Sequence, residues 1–264
     1  MGHGRRYLPY LRLGDGSPLV VSPGLSSEHA NPTGIWRRTT LSWAAPFAEH
    51  FTVYLVQRKP GLARDATLSD VAADYAEAIE RDLGRPVLSH GTSTGGSVAL
   101  QIAIDHPQLV HRMVVAAAAC RLAPHGRPVQ EQLARLTESG DARGASALLW
   151  GAVARPMLSY PARGLGWLMG RSFKVDDPSD MLTMIAAEDS FDAEPELSRV
   201  QAPTLVLGGT ADPFYSEDLF RRTADGIPRG RVVLFPGKGH IYAAGSKVPA
   251  AVALGFLLEP GFRD

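Results

Sequence analysis

Brief apolar runs, each stopped by glycine, proline or a polar turn, alternate along this chain with stretches of helical spacing. That alternation restricts the architecture more than any single motif does. The runs are Leu19 to Ser22, Phe51 to Val56, Val87 to Ser89, Met113 to Ala119, Thr204 to Leu207 and Val232 to Phe235. Arg5 to Leu13 reads as a further, antiparallel strand joined to Leu19 through the turn Gly14-Asp15-Gly16. Between the runs, Val71, Tyr75, Ile79 and Leu83 recur at helical intervals from Leu68 to Leu83, with Thr67 or Ser69 as the cap. Gly96 to His106 reads as a helix with Val98 and Ile102 inward, stopped by Pro107, and a last helix runs from about Pro249 to Leu258. Strands alternating with helices predict an α/β class with a largely parallel sheet.

Composition narrows what such a fold can serve. The 264 residues suit one domain, or one domain carrying an insertion, and a 45% hydrophobic content supplies a packed core and excludes disorder. With 27 basic and 27 acidic residues the formal net charge is zero, which argues against a nucleic-acid binder that must neutralise a line of phosphates. The single cysteine, Cys120, excludes an intramolecular disulfide and a cysteine-built zinc site. Met1 to Leu13 lacks the apolar stretch of a secretory signal, and no apolar run is long enough for a membrane span. A cytoplasmic protein with no nucleic-acid partner is the expectation.

The segment from Pro124 to Arg199 breaks the rhythm. It contains helical patterns, no convincing strand, and four of the 6 methionines (Met157, Met169, Met181, Met184), together with Trp150, Tyr160, Trp167 and Phe173. Flexible and aromatic apolar side chains fill irregular space, so the segment is expected to be a helical cap over a pocket. The division is therefore a core of residues 1–122 and 200–264 with a cap of residues 123–199. Trp150, Met157, Trp167, Met184 and Phe214 are the candidate substrate-binding residues. Ordinary packing between cap and core is the competing role for each of them. Gly164-x-Gly166 follows no strand and is not a dinucleotide fingerprint.

The chemistry concentrates at His90-Gly91-Thr92-Ser93-Thr94-Gly95-Gly96, which contains Gly-x-Ser-x-Gly. In a chain with 27 glycines the pattern alone carries little weight. Its position between a short apolar strand and an amphipathic helix carries far more, because a nucleophile elbow sits there. A serine in a tight strand-to-helix turn is strained, needs small neighbours, and projects its hydroxyl where the helix N-terminus favours negative charge.

A serine hydroxyl is a poor nucleophile until a base takes its proton, and the partners follow in the order acid, then histidine. Of the 8 histidines, only His106, His111, His125 and His240 lie beyond Ser93. His106 ends a helix, His111 precedes a strand and His125 opens the cap. His240 stands in the glycine-rich loop Pro236-Gly237-Lys238-Gly239-His240 after a late strand, which makes it the candidate base. Asp212 ends the preceding strand segment, Pro203 to Asp212, one helix and one strand ahead of His240, and is the candidate acid. Asp225 is its nearest competitor, but Asp225-Gly226 reads as a helix-ending turn.

Taken together, Ser22-Pro23-Gly24-Leu25 after the early strand, the elbow, the strand to Asp212 and the Gly239-His240 loop resemble the α/β-hydrolase fold superfamily. The likeness spans nearly the whole chain. It implies an α/β-hydrolase fold: a mostly parallel, eight-stranded sheet flanked by helices, with a helical cap insertion. It also implies an oxyanion hole made by the backbone N–H groups of Leu25 and Thr94. The loop after the early strand usually begins His-Gly in this family. Here Pro23 holds the place of that histidine, a change that backbone donors tolerate.

The Thr94-Gly95-Gly96 continuation is similar to cofactor-free haloperoxidases and to carbon–carbon bond hydrolases. Ser93 sets aside the dehalogenases and epoxide hydrolases, which carry a carboxylate at the elbow. The expected activity is a serine carboxylesterase acting with water on small to medium hydrophobic esters, with no metal and no organic cofactor. Lactonase, thioesterase, carbon–carbon hydrolase and perhydrolase activities are the alternatives of the same fold. A ligand-binding or sensor protein on a hydrolase fold is the alternative of another class.

Overall fold

The computed structural model describes residues 8–27, 29–154, 158–170 and 176–260. Its sheet contains seven strands among the described residues, where eight were expected. They are β1 (Tyr10–Leu13), β2 (Ser17–Ser22), β3 (Phe51–Val56), β4 (Val87–Thr92), β5 (Val110–Ala116), β6 (Thr204–Gly209) and β7 (Gly230–Phe235). The order across the sheet is β1-β3-β2-β4-β5-β6-β7. All neighbours are parallel except β1, which runs antiparallel to β3 at the edge.

The expected hairpin between the first strand and Leu19 does not form, because β3 lies between β1 and β2. Gly14 and Gly16 carry the connection across the start of β3 with φ of +76° and +133°. A side chain at either position would run into the backbone of residues 48–51. The glycines serve a close crossing and not a two-residue turn.

Ten α-helices are found among the described residues: α1 (Gly34–Ala48), α2 (Leu68–Asp82), α3 (Thr94–Asp105), α4 (Arg127–Glu138), α5 (Ala142–Val153), α6 (Ser159–Met169), α7 (Ser179–Asp189), α8 (Glu217–Gly226), α9 (His240–Gly245) and α10 (Lys247–Leu257). α2 begins at a capping box in which Thr67 and Asp70 bond each other's backbone, so Thr67 and not Ser69 caps it. Alternate residues of each central strand face opposite layers. Val20, Val87, Val115 and Val206 pack under α2, α3 and α8, while Leu19, Leu88, Val114 and Leu205 pack under α1 and α10. The helices α4 to α7 follow β5 and precede β6, and Leu133, Leu148, Met181 and Ile185 form a small apolar cluster of their own among α4, α5 and α7. No described helix is long and apolar enough to cross a membrane.

This topology fixes where chemistry can occur. The chain steps from β2 outward to β3, then returns to place β4 on the other side of β2. At such a switch point the loops leaving the carboxyl ends of neighbouring strands diverge and open a crevice. Ser22 pairs with Gly91 at that end, so the loop after β2 and the elbow after β4 leave the sheet side by side.

Candidate active site

Ser93 sits between β4 and α3 with φ 55° and ψ −129°, a backbone region that costs a non-glycine residue of order 1–3 kcal/mol. The surroundings hold it there. Ser93 N–H donates to the Ala116 carbonyl of β5 at 2.9 Å, and the Ser93 carbonyl accepts from Gly96 N–H at 2.6 Å. A Cβ on Gly91 would overlap the backbone of Gly95 and Gly96, and one on Gly95 would overlap the carbonyls of Ser22 and Pro23. The two glycines of the motif thus let the elbow turn tightly and let the loop after β2 lie against it.

The residues picked out by their place at strand ends converge on Ser93. His240 Nε2 is 3.0 Å from Ser93 Oγ, and His240 Nδ1 is 2.8 Å from Asp212 Oδ2. A carboxylate can only accept, so Nδ1 carries the imidazole proton and Nε2 is left free to accept the serine proton. Asp212 Oδ1 accepts from the backbone N–H groups of Phe214 and Tyr215 at 2.8 and 3.2 Å, which fixes the carboxylate in its loop. His240 opens α9 and is flanked by two rings, Phe214 edge-on at 5.0 Å and Tyr215 stacked at 6.2 Å. Asp225 lies in the last turn of α8 and is exposed. His90, the neighbour of the motif, points to the opposite layer between Trp43 and Phe47, and burial pushes its imidazole pKa down to about 4.

Of the candidate substrate-binding residues, Phe214 lies at the histidine. Trp150 packs against Gly166 where α5 meets α6, and Trp167 is half-exposed with its ring 4.2 Å from the Arg143 guanidinium. Met184 is fully buried in the apolar layer beneath α2, α3 and α8. Met157 lies outside the described residues. Gly151 and Gly166 bring α5 and α6 into close approach, with Arg163 against the first glycine and Trp150 against the second.

Two buried ionisable side chains, one bonded to the elbow and one to the loop after β2, carry no signal in the sequence pattern. Glu188, at the end of α7, accepts from Thr94 Oγ1 at 2.9 Å and from Ser97 Oγ and Tyr215 Oη at 3.2 Å each. Burial pushes its carboxyl pKa up, against the pull of those three donors and of Arg58. Burial also raises the Tyr215 phenol well above its ordinary value, so it stays a neutral donor. Arg58, after β3, is 1% exposed and bonds His29, Ser26 and the carbonyls of Pro23 and Gly24. Their partners come from distant parts of the chain, so no local spacing reveals them. Among the described residues no group of three or more His, Cys, Asp or Glu is placed to hold a metal ion.

The sequence profile of the Alpha/beta hydrolase family matches residues 19–253, most of the chain. The chain belongs to the alpha/beta hydrolase family. A relative named "Putative carbamate hydrolase RutD", from Variovorax paradoxus (strain S110), is 28% identical over 246 residues, covering 87% of this chain and 86% of the relative. Among solved structures, MGS-M2, an alpha/beta hydrolase enzyme from a Medee basin deep-sea metagenome library, superposes with a TM-score of 0.81 at 16% identity, covering 97% and 96% of the two chains. The enol-lactonase from Burkholderia xenovorans LB400 superposes with a TM-score of 0.74 at 21% identity, covering 96% of each chain. At these identities the structural likenesses speak to the alpha/beta hydrolase fold alone.

Proposed function

We propose that the protein is a serine hydrolase that cleaves carboxylic esters of small to medium hydrophobic substrates through an acyl-enzyme on Ser93. The observation that carries this reading is the continuous chain from Ser93 Oγ to His240 Nε2 and from His240 Nδ1 to Asp212 Oδ2, at 3.0 and 2.8 Å. In the first step Ser93 Oγ bonds the substrate carbonyl carbon while its proton passes to His240 Nε2. Asp212 stabilises the imidazolium formed. The negative charge gathers on the former carbonyl oxygen, which the backbone N–H groups of Leu25 and Thr94 receive. Donors of this kind are each worth about 3 kcal/mol of transition-state stabilisation. The C–O bond to the alcohol then breaks, and the alcohol leaves with the proton held by His240. Water, giving a proton to the same nitrogen, attacks the acyl-enzyme and releases the acid and Ser93.

Phe214, edge-on to the base, is the wall against which an apolar substrate group would lie, and the helices α4 to α7 form the cap over it. A carbamate is the second reading. It is favoured by the name of the relative matched over most of both chains, and its carbonyl would meet the same serine and the same donors. Turnover of a chain-length panel of nitrophenyl esters, with nitrophenyl carbamates alongside, tests both. Wild-type protein should release nitrophenol from at least one ester, and Ser93→Ala should lower that rate by 10³-fold or more. No turnover by the wild type, or undiminished turnover by Ser93→Ala, would sink the proposal.

A further inference from the structure

Arg58 is a positive charge in the interior, tied to the loop that lies beside Ser93. Its side chain is 1% exposed, and burial lowers its pKa from the ordinary guanidinium value. Four bonds surround it. Nε donates to His29 Nε2 at 3.1 Å, Nη1 to the Pro23 carbonyl at 3.0 Å, and Nη2 to the Gly24 carbonyl at 3.0 Å and to Ser26 Oγ at 2.9 Å. His29 is itself oriented: its Nδ1 donates to the Lys59 carbonyl at 2.9 Å, so its Nε2 is bare and can accept from the arginine. Burial and the adjacent Arg58 charge both lower the His29 pKa, which keeps the imidazole neutral for that task.

The geometry of one peptide group turns this cluster into a device. The carbonyl of Gly24 and the N–H of Leu25 belong to the same planar unit, and no described peptide bond is cis, so the two point in opposite directions. Gripping the carbonyl from one side sets the direction of the N–H on the other. The backbone of Gly24 abuts the nucleophile: a Cβ built on it would stand 3.4 Å from Ser93 Cβ and 3.9 Å from Ser93 Oγ. We propose that Arg58 is a positioning residue for the oxyanion hole, orienting the Leu25 N–H by holding the Gly24 and Pro23 carbonyls from behind. The inference rests on the serine-hydrolase reading above. It also accounts for Pro23: proline has no N–H of its own to pin the loop, and a guanidinium holding two successive carbonyls supplies the restraint instead.

A structural role alone makes a different forecast. A merely structural Arg58 would show its loss in stability, because Arg58→Met leaves the Pro23 and Gly24 carbonyls and His29 Nε2 without their donor, and not in the turnover of the protein that folds. Arg58→Met therefore separates positioning from folding. With p-nitrophenyl butyrate as substrate, kcat of Arg58→Met should fall 10- to 100-fold while KM stays within about threefold. Affinity for phenylboronic acid, whose serine adduct places a negative oxygen in the hole, should weaken by the same factor as kcat. Arg58→Lys keeps the charge but lacks the planar fork that meets the two carbonyls with separate nitrogens, so it should lose 3- to 10-fold in kcat. That variant carries the test if Arg58→Met does not fold. Wild-type kcat and boronate affinity in either folded variant would overturn the inference. So would a loss confined to KM, or a fall in kcat with boronate affinity unchanged. A wild type inert to the ester and blind to the boronic acid would overturn the hydrolase reading itself, a result distinct from an active wild type with an equally active Arg58→Met.

Discussion

Asp212 does two jobs with its two oxygens. One accepts from the backbone N–H groups of Phe214 and Tyr215, and the other holds His240 Nδ1. Amide substitution would keep the shape and reverse the chemistry, because an Asn nitrogen cannot accept from the imidazole N–H. Asp212→Asn should reduce kcat on nitrophenyl esters by 10³- to 10⁴-fold, while Asp225→Asn, on the exposed last turn of α8, should leave it within twofold. Steady-state kinetics of the two variants side by side check the assignment, and equal effects would contradict it. At this scale the sequence was informative wherever function is tied to a local pattern. Ser93 has its small neighbours, and Asp212 and His240 each come shortly after the end of a strand. Arg58 and Glu188 have no such marker. Their partners are up to 35 and 94 residues away, and a charged residue in a sequence gives no sign that it will be buried.

The elements show the same division between near and far. The core-facing repeat of Val71, Tyr75 and Ile79 marked α2 because one face of that helix alone is apolar. The Gly14-Asp15-Gly16 turn suggested a hairpin, since neighbouring strands usually pair, but β3 arrives from beyond α1 and takes the place beside β2. Nothing within the turn encodes that arrival. α1 begins with an exposed, mixed face and contains Pro46, so its sequence gives no clear helical stripe. The glycines at the elbow give an element-scale prediction. A methyl on Gly95 would overlap the Ser22 and Pro23 carbonyls, pushing α3 and the loop after β2 apart. Gly95→Ala should therefore cost of order 1–3 kcal/mol in unfolding free energy, as overpacking does, and at least tenfold in kcat. Urea unfolding with matched ester kinetics measures both, and wild-type values for the pair would show that the loop does not need to lie against the elbow.

Across the whole molecule, the sheet separates two apolar layers, and the helices inserted after β5 are tied back to one of them through α7. Met184 and Ala187 of α7 lie in the layer beneath α2, α3 and α8, and Glu188 reaches Thr94 at the elbow. The other layer contains His90, whose Nδ1 has no partner and whose pKa is pushed down to about 4 by burial. The unfolded chain therefore takes up a proton near the ordinary histidine value of 6.5 while the folded chain resists it until about 4. Between those values the unfolded state binds more protons, so stability is complete above pH 6.5 and drains away as the pH falls. His90→Phe, which keeps a ring against Trp43 and Phe47, should lack that drain. Denaturant melts from pH 7 to pH 4 should show the wild type losing up to about 3 kcal/mol relative to the variant, and parallel curves would contradict it.

The proposed nucleophile is Ser93, activated by His240. Diethyl p-nitrophenyl phosphate tests it most directly, because an activated serine oxygen displaces nitrophenolate and keeps the diethylphosphoryl group. Peptide mass mapping after a stoichiometric exposure should find that group on Ser93 alone, with none on the Ser93→Ala protein and far slower labelling of His240→Ala. An unlabelled Ser93 in folded wild-type protein, or a label that persists after Ser93→Ala, would contradict the account.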